Sequence, residues 1–343
     1  MQHSERHTLI DNFLAASGWA GAKRIVLAAD ASFRRYERIV GQGRQAVLMD
    51  APPDKEDVRP FVRTAHHLLD AGLSAPKLLA SDVTQGFLLL EDLGDDLYTR
   101  LLSRQPLQEE GLYLEAANVL AAIYHQAPKA DYSDFPVYDA ALLMRECRLF
   151  AEWFLPAVMG GEEAKKREKE YMTLWRELLD RLPSLRPVLV MRDYHADNLL
   201  WLPARVGIKC VGLLDFQDAV VGSPAYDMVS FLEDARRDVK PETVAKVIDR
   251  YLESTAIPRA DFMAAYALLG AQRNCKIIGI FVRLALRDGK QHYLSYLPRV
   301  WAHLEHDLNH PLLAPLKVWM DKIVKPEWRN PVILSNPKMH ATL

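Results

Sequence analysis

Apolar residues near the start of the chain recur at helical spacing, and short β-type runs follow them. The helical spacing predicts an amphipathic helix over residues 4–17, with four apolar positions: Leu9, Ile10, Phe13 and Leu14. After residue 23, β-type runs separated by short turns predict a small antiparallel sheet. The runs are RIVLAAD, YERIVG, QAVLMD, KLLASD and GFLLLED. A helix over about 58–71 is expected between the third and fourth runs.

Helical periodicity dominates the chain from Leu97 to its end, with one interruption. Residues 187–222 alternate between strand-like and polar runs (PVLVM, RDYHADN, LLWLP and VGLLDF), which predicts a β-hairpin with polar residues at its ends. The order of elements predicts an α+β, two-lobed, protein-kinase-like fold. Its small antiparallel-sheet N-terminal lobe would span residues 1–94, and its larger, mainly helical C-terminal lobe residues 95–343.

Composition narrows the range of functions. Half of the 343 residues are apolar, which is enough for a sizeable core, and a net charge of -2 favours neither nucleic acid nor an anionic membrane as a partner. The three cysteines are far apart and form no C-x-x-C pair, which argues against a disulfide framework and a zinc site. With neither a secretory signal nor an apolar run of about 20 residues, we expect a cytoplasmic protein, and no obligate protein partner is indicated.

The stretches Met191–Asn198 and Leu214–Asp218 carry the residue types that phosphoryl transfer needs. A kinase requires a carboxylate near the acceptor hydroxyl and oxygen ligands for the Mg²⁺ that bridges the phosphates of ATP. Asp193 fits the catalytic role, and Asn198 and Asp215 fit the metal-binding role. The five-residue step from Asp193 to Asn198 lets one loop present both groups. The structural alternative is that these acids are turn residues or helix caps.

These motifs resemble those of the aminoglycoside phosphotransferases. RDYHADN is similar to the family's H-G-D-x-x-x-x-N loop, and LLDFQDA to its I-D-F/W element. Met191 and Arg192 stand where the family usually has His and Gly. GSPAYDMVS resembles the G-D-P-x-x-D-L segment, which implies that Asp227 braces the catalytic loop through backbone hydrogen bonds. His195 also falls in place, either ordering the loop or touching the substrate.

The predicted nucleotide contacts lie in the N-terminal lobe. In the turn between the first two β-type runs, Ser32 and nearby N–H groups are candidates to hold phosphate oxygens, and Arg34 and Arg35 to add positive charge. An exposed hairpin with solvated arginines is the alternative. Met49 or Asp50 stands where the family usually has its phosphate-pairing lysine, and Arg35 is the candidate substitute.

The run LLLEDLG ends the predicted sheet and begins the connector between the lobes. Kinases offer adenine a backbone carbonyl and an N–H group at this point. Glu91 and Leu93 are the positions expected to supply them.

A basic stripe on the helix predicted over residues 269–288 bears on the acceptor. Arg273, Lys276, Arg283 and Arg287 fall near one face, with Asn274 beside them. Like charges repel, so this stripe suits a neutral or anionic acceptor better than a polycationic aminoglycoside. Ion pairs with acids elsewhere in the lobe are the alternative. Arg273, Asn274, His195 and Gln217 are the candidate substrate contacts.

Longer segments resemble the bacterial anomeric N-acetylmuramate/N-acetylglucosamine kinases of cell-wall recycling. The matching segments are MDAPP, LLLEDLGDDLY, DYHADNLLWLP, GLLDFQDA and GAQRNCKIIGIF. The resemblance implies that an amino sugar is phosphorylated at its anomeric (C1) hydroxyl, with Asp193 accepting or orienting the proton and Arg273 pairing with the lactyl carboxylate of muramate. A choline-, homoserine- or aminoglycoside-type kinase and a nucleotide-binding pseudokinase regulator remain alternatives.

Overall fold

The structure is a computed structural model that describes residues 2–27 and 33–334. The strands are β1 Lys23–Val26, β2 Arg35–Gly41, β3 Arg44–Asp50, β4 Leu78–Asp82, β5 Phe87–Glu91, β6 Val188–Val190, β7 Leu199–Trp201, β8 Val211–Leu213 and β9 Val220–Gly222. The helices are α1 Gln2–Ala16, α2 Arg59–Asp70, α3 Tyr98–Arg104, α4 Glu109–Gln126, α5 Ala140–Leu149, α6 Leu155–Met159, α7 Gly161–Leu179, α8 Ala225–Leu232, α9 Pro241–Thr255, α10 Arg259–Leu286, α11 Leu297–Asp307, α12 Ala314–Ile323 and α13 Pro331–Leu334. Among these, none is both long and apolar enough to cross a membrane.

The chain divides into two units. The first combines residues 1–108 with residues 196–219, and the second combines residues 109–195 with residues 220–343. The chain therefore passes from one unit to the other between His195 and Ala196. The lobe boundary predicted at residue 94 falls inside the first unit and stays a prediction.

The first unit is built on the predicted antiparallel sheet, whose five strands run in the order β1-β2-β3-β5-β4. Side chains alternate between its two faces. One face buries Ile39, Leu48 and Leu89 against Ile10 and Leu14 of α1, so the predicted amphipathic helix covers this side of the sheet. The prediction of a small antiparallel sheet followed by a mainly helical remainder is confirmed.

The other face of the sheet carries the alternate residues of the same strands. Val47 of β3 is paired with Leu90 of β5 and with Arg38 of β2. These three residues line a cavity. The period-2 alternation of β2 and β3 therefore separates a core face from a cavity face, and it fixes which side chains can meet a ligand.

The second unit is mainly helical and is organised around the 28-residue helix α10. This helix packs against α5, α8 and α11. Its approach to the end of α5 is close, because a Cβ atom on Gly279 would lie 2.3 Å from the backbone carbonyl of Leu149. Glycine at this position is therefore required by packing.

The predicted single hairpin over residues 187–222 is instead two separate ladders. β7 pairs with β8 in the first unit, while β6 pairs antiparallel with β9 in the second. The pattern missed β9 because its three residues follow a polar turn and show too little alternation to identify a strand.

Candidate active site

A cavity of about 370 Å³ lies within the first unit. Its apolar lining comes from the sheet, α2 and the β7–β8 hairpin: Leu27, Val47, Phe61, Leu90, Leu200 and Leu214. Its polar lining comes from the connector and the hairpin ends: Glu91, Asp92, Asp95, Asp197, Asn198 and Asp215. An apolar slot with polar groups at its edge is the usual character of a small-molecule or cofactor site.

Asn198 and Asp215 meet because they flank the β7–β8 hairpin. The Leu214 N–H donates to the Asn198 carbonyl at 3.0 Å, which extends the ladder by one step beyond its last strand pair. The Asn198 amide nitrogen then lies 3.5 Å from Asp215 Oδ2. Seventeen residues of sequence separate the two residues, and strand pairing brings them to one edge of the cavity.

Two further side chains contact Asp215. Gln217 Nε2 donates to Asp215 Oδ1 at 3.0 Å, and an Arg34 guanidinium nitrogen lies 3.5 Å from the same oxygen. Asp215 has a φ of 56°, a left-handed conformation that aspartate tolerates better than most residues. Its carboxylate remains one-third exposed, so it is accessible from the cavity.

The three residues predicted to contact the phosphates of ATP differ in where the structure places them. Ser32 lies outside the described residues. Arg34 contacts Asp215, whereas Arg35 is exposed and lies on the face of β2 opposite Tyr36 and Arg38, which line the cavity. Strand alternation therefore places Arg34, and not Arg35, beside a predicted metal ligand.

The strand position usually held by lysine carries no cation. Met49 is buried, and Asp50 accepts a hydrogen bond of 2.6 Å from Arg6 of α1. Asp50 is therefore engaged by α1.

The two connector residues predicted to contact adenine, Glu91 and Leu93, both line the cavity. Their contact with a nucleotide stays a prediction.

Arg38 is a cavity residue that the sequence analysis did not identify. Its guanidinium donates to both carboxylate oxygens of Asp92, at 2.6 and 3.1 Å, and to both of Asp95, at 2.8 and 3.0 Å. The hydrogen bonds that Arg38 donates to Asp95 and Asp92 raise the pKa of Arg38, and the same pairing lowers the pKa of Asp95. The alternation of side chains along β2 could have identified Arg38, because it falls on the same face of the strand as Tyr36.

In the second unit, Asp227 of α8 holds the loop that begins after β6. Its carboxylate accepts the N–H of Met191 at 2.6 Å and that of Arg192 at 2.9 Å, and Ser230 Oγ donates to the Arg192 carbonyl at 3.1 Å. Burial raises the pKa of Asp227 to about 7, while the two backbone donors act to lower it. These bonds fix Arg192 at a φ of 70°, a conformation that glycine adopts most easily.

Asp193 and His195 follow directly on this loop. Asp193 is half-buried, whereas His195 is 5% exposed. Burial lowers the pKa of His195, so its imidazole is neutral near pH 7. Tyr194 between them anchors the loop by donating from its hydroxyl to the Ala116 carbonyl at 2.8 Å.

The basic stripe predicted on α10 is buried at Arg273, half-buried at Lys276 and Arg283, and exposed at Arg287. Arg273 is 5% exposed and donates to Ser230 Oγ at 3.0 Å, and Asn274 donates to Glu233 at 2.7 Å and Asp307 at 3.0 Å. This is the alternative of internal pairing that the sequence left open. A substrate contact by Arg273, Asn274, His195 or Gln217 stays a prediction.

The acid and amide at the cavity edge suit a magnesium ion. Mg²⁺ is usually bound by one or two protein oxygens together with substrate phosphates and water. Asp215 supplies a carboxylate, and rotation of the adjacent Asn198 amide would present its oxygen. No group of three His, Cys, Asp or Glu side chains able to hold a metal occurs in the part of the chain that the structure describes, and a phosphate-dependent magnesium site does not need one.

The antiparallel sheet, the cavity and the loop pattern define a kinase-like fold. The model of the phosphotransferase enzyme family matches residues 24–263. A Caulobacter vibrioides N-acetylmuramate/N-acetylglucosamine kinase is 39% identical to this chain, and the match covers 95% of this chain and 99% of that kinase. A Pseudomonas aeruginosa protein of the same name is 38% identical, covering 90% of this chain and 91% of its own. The chain therefore belongs to the phosphotransferase enzyme family, and it is an enzyme of that class.

Solved structures agree on the fold. A choline kinase from Streptococcus pneumoniae matches with a TM-score of 0.61 at 12% identity, covering 88% of this chain and 99% of its own. APH(2″)-IIa, in a ternary complex with streptomycin and ATP, matches with a TM-score of 0.56 at 17% identity, and the match covers 79% of this chain and 89% of that chain. At these identities the similarity establishes the fold alone.

Proposed function

We propose that this protein transfers the γ-phosphate of ATP to the anomeric hydroxyl of N-acetylmuramate and N-acetylglucosamine in peptidoglycan recycling. The observation that carries the proposal is near-full-length similarity, at 36–39% identity, to four proteins named N-acetylmuramate/N-acetylglucosamine kinase. The product would be a sugar 1-phosphate. A cytoplasmic location and action without an obligate protein partner fit this role and stay part of the proposal.

Asp193 is the proposed catalytic residue. A carboxylate that accepts or orients the proton of an attacking hydroxyl is a recurring part of phosphoryl transfer. Its position is supported by the two hydrogen bonds that Asp227 makes to the preceding backbone. Because the loop is already held in place, less conformational freedom of Asp193 is lost when the acceptor hydroxyl is aligned with the phosphate.

The cavity of the first unit is the proposed ATP site. The apolar lining suits adenine, and the connector residues Glu91 and Leu93 are proposed to offer it their backbone groups. Asn198 and Asp215 would hold Mg²⁺, which, when bound, neutralises charge on the β- and γ-phosphates. Arg34, whose guanidinium already lies beside Asp215, is proposed to take the place of the absent strand lysine.

The test is phosphorus NMR of reactions with Mg·ATP and N-acetylmuramate, N-acetylglucosamine, glucose, choline or kanamycin. We expect a 1-phosphate from both N-acetyl sugars and its loss in Asp193→Asn. Asp180→Asn is the matched control, because Asp180 is an exposed acid just after α7.

The other outcomes decide between the alternatives. Phosphate on choline or kanamycin would preserve the fold and overturn the acceptor. Thermal stabilisation by Mg·ATP without any turnover would overturn catalysis and favour a nucleotide-binding regulator.

A further inference from the structure

A single carboxylate in the second unit holds two cations. Glu146 of α5 accepts hydrogen bonds on Oε1 from the Arg192 guanidinium and, at 3.0 Å, from Lys276 Nζ of α10. The side chains of Arg192 and Lys276 are 22% and 14% exposed, while Glu146 is 7% exposed. The cations therefore lie nearer to solvent than the acid that binds them.

The remaining acceptor atom of Glu146 is also engaged. Its Oε2 accepts from the Tyr138 hydroxyl and, at 3.2 Å, from Gln272 Nε2. These two donors are uncharged, so two positive charges share one negative charge within contact distance. This cluster of Glu146, Arg192 and Lys276 thus carries one surplus positive charge.

Lys276, one of the two cations of this cluster, can donate a further hydrogen bond. An ammonium group has three donors, and among the described residues its acceptors are Glu146 and, at 3.1 Å, the Tyr226 hydroxyl. Burial acts to lower the pKa of Lys276, but Tyr226, Glu146 and Asp193 outweigh it and raise the pKa. Lys276 is therefore charged at neutral pH, with one N–H available to a ligand.

The cluster adjoins the proposed catalytic carboxylate. Arg192 directly precedes Asp193, and the charge of Asp193 acts on both Arg192 and Lys276. In the proposed reaction Asp193 is occupied by the acceptor hydroxyl. Arg192 and Lys276 would attract a second, anionic group on the same acceptor.

Resting on the proposed function, we propose that Arg192 and Lys276 bind the carboxylate of the acceptor's lactyl group. Guanidinium and ammonium groups are the usual protein partners of carboxylates. Arg273, which the sequence favoured for this contact, is buried with Ser230 as its partner. Lys276 lies almost one helical turn further along α10 and is partly exposed. The pair makes the enzyme select an acidic amino sugar over a neutral one.

The test measures kcat and KM of Lys276→Met with three acceptors: N-acetylmuramate, its methyl ester and N-acetylglucosamine. Loss of one charge-assisted hydrogen bond should lower kcat/KM for the acid by roughly 10- to 100-fold, mainly through KM. The neutral ester and N-acetylglucosamine should change by less than about 3-fold, since neither presents the charge that Lys276 binds.

Two variants complete the design. Lys276→Arg keeps the charge and should restore most of the preference for the acid. Lys246→Met removes an exposed lysine that pairs with Glu110 and should leave all three acceptors unaffected. Glu146→Gln removes the competing negative charge while keeping an acceptor for both cations, so the ratio of acid to ester activity should rise.

The failure modes are distinct. Equal losses with acid and ester in Lys276→Met would show a purely structural role and overturn this inference while leaving the proposed function intact. An unchanged or lower ratio in Glu146→Gln would overturn it as well, even if Lys276→Met does not fold. No turnover of either sugar by the wild-type protein would overturn the proposed function and this inference together.

Discussion

Substituting Arg192 by glycine and by alanine separates the backbone strain at this position from the loss of its side chain. Arg192 has a φ of 70°, where an L-residue is strained by about 1–2 kcal/mol. Both substitutions remove the guanidinium, but only alanine keeps the strained Cβ. Glycine relieves this strain, but it also gives the unfolded chain more conformational freedom, which lowers the stability of the glycine variant by roughly 0.4–1 kcal/mol. We expect Arg192→Gly to be the more stable variant by about 0.5–1 kcal/mol.

Both variants should be less stable than the wild-type protein. Removing one partner of a buried ion pair costs about 3–5 kcal/mol when the other is left uncompensated. Here Lys276 still contacts Glu146, so we expect the loss to fall at the lower end of this range, roughly 3 kcal/mol. The difference between glycine and alanine does not depend on this common loss.

Urea unfolding followed by tryptophan fluorescence measures the difference, provided that the variants share one m value. The control pair is Lys246→Gly and Lys246→Ala in the exposed part of α9. There alanine should be more stable by about 1 kcal/mol, the usual order in a helix. If alanine equals or exceeds glycine at Arg192 while the control shows the usual order, the inferred strain is absent.

Three further predictions concern other parts of the molecule. Burial raises the pKa of Glu233 to about 7, above its unfolded value, so the contribution of Glu233 to the free energy of unfolding should fall by about 1 kcal/mol between pH 6 and pH 8. Glu233→Gln should lose that part of the slope in urea titrations. Asp215→Asn should lower kcat by at least about 100-fold in Mg²⁺-dependent turnover assays, with little change in melting temperature, because it removes a proposed metal charge. Gly279→Ala should cost about 3 kcal/mol in the same urea assay, because its Cβ would meet the Leu149 backbone.

The elements that periodicity defines strongly were predicted well. The five strands of the larger sheet in the first unit and the helix α2 alternate or repeat over enough residues to be identified from the sequence. The fold class followed from their order. β9 was missed because its residues follow a polar turn and show too little alternation to identify a strand.

The pairing of side chains was not predictable from spacing alone. The pattern of α10 showed that Arg273 and Lys276 share a polar stripe, but not that Ser230 and Glu146 would meet them. Glu146 is 130 residues from Lys276. Nothing in its own neighbourhood marks it as the centre of a charged cluster. Such contacts depend on tertiary packing, which local sequence does not encode.

The departure of Arg192 from the family's glycine gains a physical explanation from these contacts. Glycine would adopt the left-handed backbone without strain but would leave Glu146 with Lys276 as its remaining cation. Arginine is strained there, yet Asp227 holds both the Met191 and Arg192 N–H groups, and Glu146 fixes the guanidinium. The strain is therefore offset by contacts that also set a cation directly before Asp193. If the acceptor carries a carboxylate, the same substitution that strains the loop supplies the charge that recognises it.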